Sequence, residues 1–177
     1  MADHAHQQSH SAPAEHKAKG PTSIACGVIT CSDTRTPETD TSGKIIQELL
    51  VGKGHRIAAY HVVKDEPDTV RALVQQLSHD ATLSAIILNG GTGISRRDTT
   101  FEAVDGLLEK RLGGFGELFR FLSYEDIGSA AMLSRSTAGL YQGTIIFSIP
   151  GSSGAVRLAM EKLILPELPH IAGELTK

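Results

Sequence analysis

The feature that most constrains this chain is a regular exchange between two kinds of stretch. Short runs that are apolar almost throughout alternate with stretches in which apolar residues return every three or four positions. Ile24 to Cys31 is the first run. It is followed by polar residues and a helix-like stretch from about Ser42 to Val51, with Ile45, Ile46, Leu49 and Leu50 on one face. Ile57 to Val63 is the second run. Pro67 then suits a first helical turn, and Val70, Leu73, Val74 and Leu77 follow at i, i+3, i+4 and i+7. Ala85 to Leu88 is the third run, before a helix predicted from about Thr100 to Leu108. Strands apolar on both faces need cover on both faces. The pattern therefore predicts an α/β fold with a mostly parallel sheet between layers of helices.

The pattern breaks at Gly113-Gly114, after which Phe115, Phe119, Phe121, Leu122 and Tyr124 crowd into ten residues of a chain that is only 5% aromatic. Gly143 to Ile149 reads as a β-branched strand paired through a tight turn with Leu140-Tyr141. Pro150-Gly151 ends it, and Val156, Met160, Leu163 and Ile164 mark a late helix. Residues 22–177 are predicted to form one domain, with 40% hydrophobic residues to build its core. Residues 1–21 contain no Val, Ile, Leu or Phe and hold His4, His6, His10 and His16. A disordered histidine-rich tail is the expectation there. A net charge of −3 argues against a nucleic-acid partner, and no apolar run reaches the roughly 18 residues of a membrane span. Cys26 and Cys31 lie an odd number of positions apart in one predicted strand, so they face opposite sides and stay unpaired. Free thiols fit a cytoplasmic protein.

The richest loop is "LNGGTGISRRDTT", Leu88 to Thr100, between the third strand and its helix. No lysine follows its glycines, which excludes the P-loop pattern. Gly91 and Gly93 begin a dinucleotide fingerprint, but Arg96 stands where its third glycine belongs. Two readings remain. One is an anion nest of backbone N–H groups at the carboxyl end of a parallel strand. The other is a glycine-rich turn, a Thr99–Glu102 capping box and an Asp98 that favours the helix dipole.

The same loop, as "NGGTGISRRDTTFEA" (Asn89 to Ala103), resembles the signature of the MoaB/Mog family of molybdenum-cofactor biosynthesis proteins. So do "VITCSDTRTPETDTSGKII" (Val28 to Ile46), "GFGELFRFLSYEDIGSAAMLSRSTAG" (Gly114 to Gly139) and "SIPGSSGAVRLAMEKLILPELPHI" (Ser148 to Ile171), in family order. The resemblance implies a three-layer α/β/α fold that binds molybdopterin, a pterin with a dithiolene and a terminal phosphate. It implies transfer of AMP from Mg²⁺-ATP to that phosphate, with release of pyrophosphate.

Carried over by position, Gly90, Gly91, Thr92 and Gly93 cradle the phosphate side of molybdopterin. Asp98 and Asp40 match two essential aspartates: Asp98 to hold Mg²⁺ directly or through water, Asp40 to position the metal or the nucleotide. Hard oxygen ligands suit Mg²⁺. A helix cap is the plain alternative for Asp40. Ser32, Thr34, Asn89, Ser134, Arg135, Pro150, Gly151 and Ser152 complete the expected substrate site, and Arg96 and Arg97 are candidates for ATP phosphates. Asn89 stands where many relatives have threonine, Ile94 replaces the proline usual in the Mog branch, and Ser153 replaces a common proline after "PGS". These departures set the chain on the MoaB side, where some members lack demonstrable adenylyltransferase activity. A non-catalytic molybdopterin-binding scaffold is accordingly the rival reading. The resemblance and the aromatic segment together predict a homotrimer or hexamer. Other proteins of molybdenum-cofactor biosynthesis are further partners that the resemblance implies.

Overall fold

The computed structural model describes residues 21–176, so the expected tail, Pro21 apart, lies outside the described residues. The chain runs β1 (Ala25–Cys31), α1 (Thr41–Gly52), β2 (Arg56–Val63), α2 (Pro67–Ser78), β3 (Ala85–Asn89), α3 (Thr100–Asp105), β4 (Lys110–Arg111) and α4 (Gly113–Ile127). A 3₁₀ turn (Gly128–Leu133) leads to β5 (Thr137–Tyr141) and β6 (Thr144–Ile149). The last helix opens as α5 (Ser153–Ala159), widens into a π turn (Met160–Ile164) and ends as α6 (Leu165–Leu175).

The six strands form one sheet in the order β2-β1-β3-β6-β5-β4. β2, β1, β3 and β6 are parallel, whereas β5 pairs antiparallel with β6 and β4 antiparallel with β5. The predicted parallel sheet and the hairpin before β6 are both present. Because side chains alternate along a strand, each central strand feeds two cores. Cys26, Val28, Ala85, Ile87, Ile145 and Phe147 meet α1, α5 and α6 on one face. Ile29, Cys31, Ile86, Leu88 and Ile146 meet α2 and α3 on the other. The two cysteines thus stay unpaired in different cores, and burial pushes each thiol up to about 12.

Two elements differ from expectation. Gly113-Gly114 opens α4 instead of interrupting the pattern, and the aromatics divide between its faces. Phe119 is fully buried and Phe115 packs on Phe119 and Phe147, while Phe121 and Tyr124 stay exposed. Tertiary burial of Phe119, of the kind whose loss costs about 3–5 kcal/mol, outweighs the poor helix propensity of the glycines. The final helix continues past Ile164, where the predicted periodicity stops. Pro166 lacks the N–H that would bond the Lys162 carbonyl, and the chain widens into the π turn just before it.

The topology sets where a ligand fits. From β1 the chain goes to one neighbour, β2, and from β2 it crosses back to β3 on the other side. Open α/β sheets bind ligands outside the carboxyl ends of the strands at such a reversal. Here the register aligns Thr30 of β1 with Asn89 of β3, and Asn89 with Ile149 of β6. The loops leaving these three strand ends therefore converge.

Candidate active site

Those loops enclose a cleft of about 350 Å³. β1 and its loop supply Thr30, Cys31, Ser32 and Arg35; β3 and its loop supply Asn89 to Gly93 and Asp98. β6 contributes Pro150 and Gly151, α1 contributes Ser42, and Leu133 and Ser134 close the cleft from the segment before β5.

The glycine loop is shaped by its neighbours. Gly90 and Gly91 have φ of +96° and +61°, a backbone region that a Cβ penalises. A Cβ at Gly90 would also collide with the Cys31 carbonyl oxygen, and one at Gly91 with the Asp65 carboxylate and Thr100 hydroxyl. The Gly90 N–H bonds Ile149 O at 3.1 Å and the Thr100 N–H bonds Gly91 O at 3.0 Å, which pins both ends. Between them, the N–H groups of Gly91, Thr92 and Gly93 have no protein partner among the described residues. Arg135 braces the loop from outside. Its guanidinium donates to Thr92 O at 2.9 Å, to Gly93 O and to the Glu102 carboxylate, and lies 4.8 Å above the Phe101 ring. The Arg135 bond holds the Glu102 carboxyl below the usual range.

Asp98 is half-buried on the wall of the cleft, and its Oδ2 accepts the Ser95 N–H at 3.1 Å. It closes the turn at Ser95–Asp98 while its second oxygen makes no protein hydrogen bond among the described residues. The predicted capping box does not form. Thr99 donates its hydroxyl to Asp65 Oδ1 at 2.9 Å and Glu102 is engaged by Arg135. Asp65 is the stronger partner because it is buried and also accepts the Thr99 N–H and the Thr100 hydroxyl, at 3.2 and 3.0 Å.

Of the residues expected from the sequence, Ser32, Asn89, Gly90, Gly91, Thr92, Gly93, Asp98, Ser134, Pro150 and Gly151 line the cleft together. Four do not. Arg135 stands behind the loop. Thr34 is exposed, and its N–H bonds the Ser32 hydroxyl at 3.3 Å. Ser152 caps α5 by accepting the Ala155 N–H at 3.3 Å. Asp40 is fully buried: it caps α1 through Gly43 N at 2.9 Å and accepts the Thr30 and Tyr60 hydroxyls. Arg97 is engaged in a fork with Asp33, at 2.8 and 2.9 Å, and with Glu66, whereas Arg96 makes no hydrogen bond among the described residues.

Sequence reasoning missed Thr30, Arg35, Ser42 and Asp65. Among the described residues Arg35 is the one cationic side chain lining the cleft, and its guanidinium donates to Thr39 O at 3.0 Å. Ser42 donates to Gly151 O at 2.8 Å and ties α1 to the β6 turn. The signal for Thr30 and Ser42 was their place at a strand end and a helix start. Asp65 carried no signal beyond a polar step before Pro67.

Residues 27–170 match the family described as "Probable molybdopterin binding domain". The molybdenum cofactor biosynthesis protein B of Bacillus subtilis (strain 168) is 57% identical over 164 residues, covering 92% of this chain and 96% of that protein. A crystal structure of a molybdenum cofactor biosynthesis protein B superposes with a TM-score of 0.86 at 53% identity, over 88% of this chain and 98% of the other. The tungsten cofactor synthesizing protein MoaB of Pyrococcus furiosus superposes with a TM-score of 0.79 at 35% identity, over 89% and 99% of the two chains. By fold, glycine loop and overall identity, the chain belongs to the MoaB/Mog family of molybdenum-cofactor biosynthesis proteins, on its MoaB-like side.

Proposed function

We propose that this protein binds molybdopterin in the cleft and transfers AMP to it from ATP. The observation that carries the reading is the meeting, in one cleft, of three loop N–H groups without a protein partner among the described residues, the Asp98 carboxylate and the Arg35 guanidinium. An oxygen of the molybdopterin phosphate attacks the α-phosphorus of ATP. The bond from that phosphorus to the α,β-bridging oxygen breaks, pyrophosphate leaves with the electron pair, and a phosphoanhydride forms. Two polyanions must approach, so positive charge and oriented donors decide the rate.

The backbone of Gly91 to Gly93 supplies donors already in place, held there by Arg135 and by the Asp65 bonds to Thr99 and Thr100. Arg35 meets phosphate oxygens of the nucleotide. Mg²⁺ fits this donor set: one Asp98 oxygen on the cleft wall makes no protein hydrogen bond among the described residues, and Mg²⁺ is characteristically held by one or two carboxylates plus substrate phosphates. Asp98 would hold it, and the ion would offset phosphate charge. The reading extends to a cytoplasmic protein, and among the described residues no helix is long and apolar enough to cross a membrane.

A homotrimer or hexamer belongs to the same proposal. Phe121, Tyr124, Ile127, Met132 and Leu133 form an exposed apolar stretch that runs from α4 to the rim of the cleft.

One observation favours the scaffold reading instead. Asp40, matched to an essential aspartate, is sealed from the cleft and bonded on every side. The deciding experiment incubates the purified protein with Mg²⁺, ATP and molybdopterin. Adenylylated molybdopterin and pyrophosphate are expected; molybdopterin binding without product would leave the scaffold.

A further inference from the structure

Asp40 belongs to a buried chain of hydrogen bonds that ends at the cleft. Its Oδ1 takes the Gly43 N–H, and its Oδ2 takes both the Thr30 hydroxyl at 2.6 Å and the Tyr60 hydroxyl at 2.7 Å. The Thr30 hydroxyl has one proton, and Asp40 holds it. Thr30 Oγ1 can then only accept from its other neighbour, and it does so from Asn89 Nδ2 at 2.8 Å. The same Nδ2 reaches Ile29 O at 3.3 Å. Two acceptors on one side fix the amide, because turning it over would set Oδ1 against both.

The consequence lies at the other end of Asn89. Oδ1 is buried, has no hydrogen-bond partner among the described residues, and lies beneath Gly151, where an added Cβ would stand 3.9 Å away. Asn89, only 1% exposed, lines the cleft floor together with Gly90 and Gly151. Buried amide oxygens without a partner are rare and costly.

We infer that Asp40 is a positioning residue which, through Thr30, fixes Asn89 so that its Oδ1 accepts a hydrogen bond from the ligand. The part of the ligand seated on the cleft floor is therefore an N–H or O–H donor and not a phosphate. The inference rests on molybdopterin as ligand, and assigns the floor to the N–H-bearing pterin while phosphate stays at the Gly91–Gly93 donors. It also gives a sealed aspartate a reason to matter for binding. In Asp40→Asn the amide nitrogen donates to Thr30, the Thr30 hydroxyl must give its proton elsewhere, and Asn89 loses its fixed orientation.

The test is anaerobic calorimetric titration of the full chain with molybdopterin and, separately, with inorganic pyrophosphate. Asp40→Asn and Asn89→Ala are each expected to weaken molybdopterin binding roughly three- to tenfold, the worth of one hydrogen bond. Neither changes pyrophosphate binding. Adding Asp40→Asn to Asn89→Ala should cause no further loss, because the first acts only through the second. Thr30→Val repeats the effect without touching the helix cap, and Thr30→Ser restores binding. Independent, multiplying losses in the double variant would overturn the inference, as would an equal loss of pyrophosphate binding. A wild-type chain that binds pyrophosphate but no molybdopterin would overturn the proposed function together with it.

Discussion

Replacing Asp98 with asparagine separates a carboxylate that does chemistry from one that only closes a turn. In the structure its Oδ2 accepts the Ser95 N–H at 3.1 Å, and an asparagine oxygen can take over that bond. The change from a charged to a neutral acceptor weakens it by about 1 kcal/mol. For a domain of this size that lowers the melting temperature by roughly 2–4 °C. The effect on turnover is of another order. Removing a group that offsets charge where two polyanions meet costs about 3 kcal/mol, on the order of 10²-fold. The assay pairs a thermal melt with initial rates of pyrophosphate release across a Mg²⁺ titration. A slow but well-folded variant with a right-shifted Mg²⁺ dependence is expected. Wild-type rates throughout the titration would refute the argument and leave Asp98 as a turn residue.

Three further outcomes are expected. Arg135→Met removes the donors to Thr92 O, Gly93 O and Glu102, and should raise KM for molybdopterin about tenfold with a smaller change in kcat; an unchanged KM would show that the loop holds its shape alone. His55 is buried, its Nδ1 has no hydrogen-bond partner among the described residues, and burial holds its pKa below the ordinary 6.5, so it favours the neutral ring. Its contribution to stability is present above pH 6.5 and is lost as pH falls toward the folded value; His55→Phe should narrow the gap in melting temperature between pH 7.5 and 5.5, and an unchanged gap refutes this. Light scattering should give a trimer or hexamer mass, reduced by Phe121→Asp with Tyr124→Asp, whereas a wild-type mass near 18.8 kDa at micromolar concentration would remove the oligomer from the proposal.

What could be read in advance was local. Val70, Leu73, Val74 and Leu77 announce α2 because one helix face is buried, and the unbroken apolar run at β3 announces a strand covered on both sides. The glycine loop was legible as a candidate site, beside the plain-turn reading, because composition, strand end and helix start are all contiguous there. Asp40 announced its cap for the same reason, since Gly43 is three residues away. Its bonds to Thr30 and Tyr60 bridge ten and twenty residues, and no spacing rule reaches them. Asp65 is the sharper case. Its partners Thr99 and Thr100 come from beyond a whole helix and strand, and only the pairing of β1 with both β2 and β3 brings them together. The cap expected from Thr99 and Glu102 failed to form for that reason: each had a better partner elsewhere in space.

The two thiols, one in each core, make the molecule its own reporter of how it opens. Neither Cys26 nor Cys31 presents a thiolate at neutral pH while its layer stays packed, since both thiols are pushed up to about 12. Labelling at either position therefore requires a local or global opening of that layer. Peptide-resolved alkylation kinetics would time the α1–α5–α6 side through Cys26 and the α2–α3 side through Cys31, within one experiment on the unmodified chain. Equal rates would mean that the two helical layers let go together, and unequal rates would tell which side of the sheet unzips first.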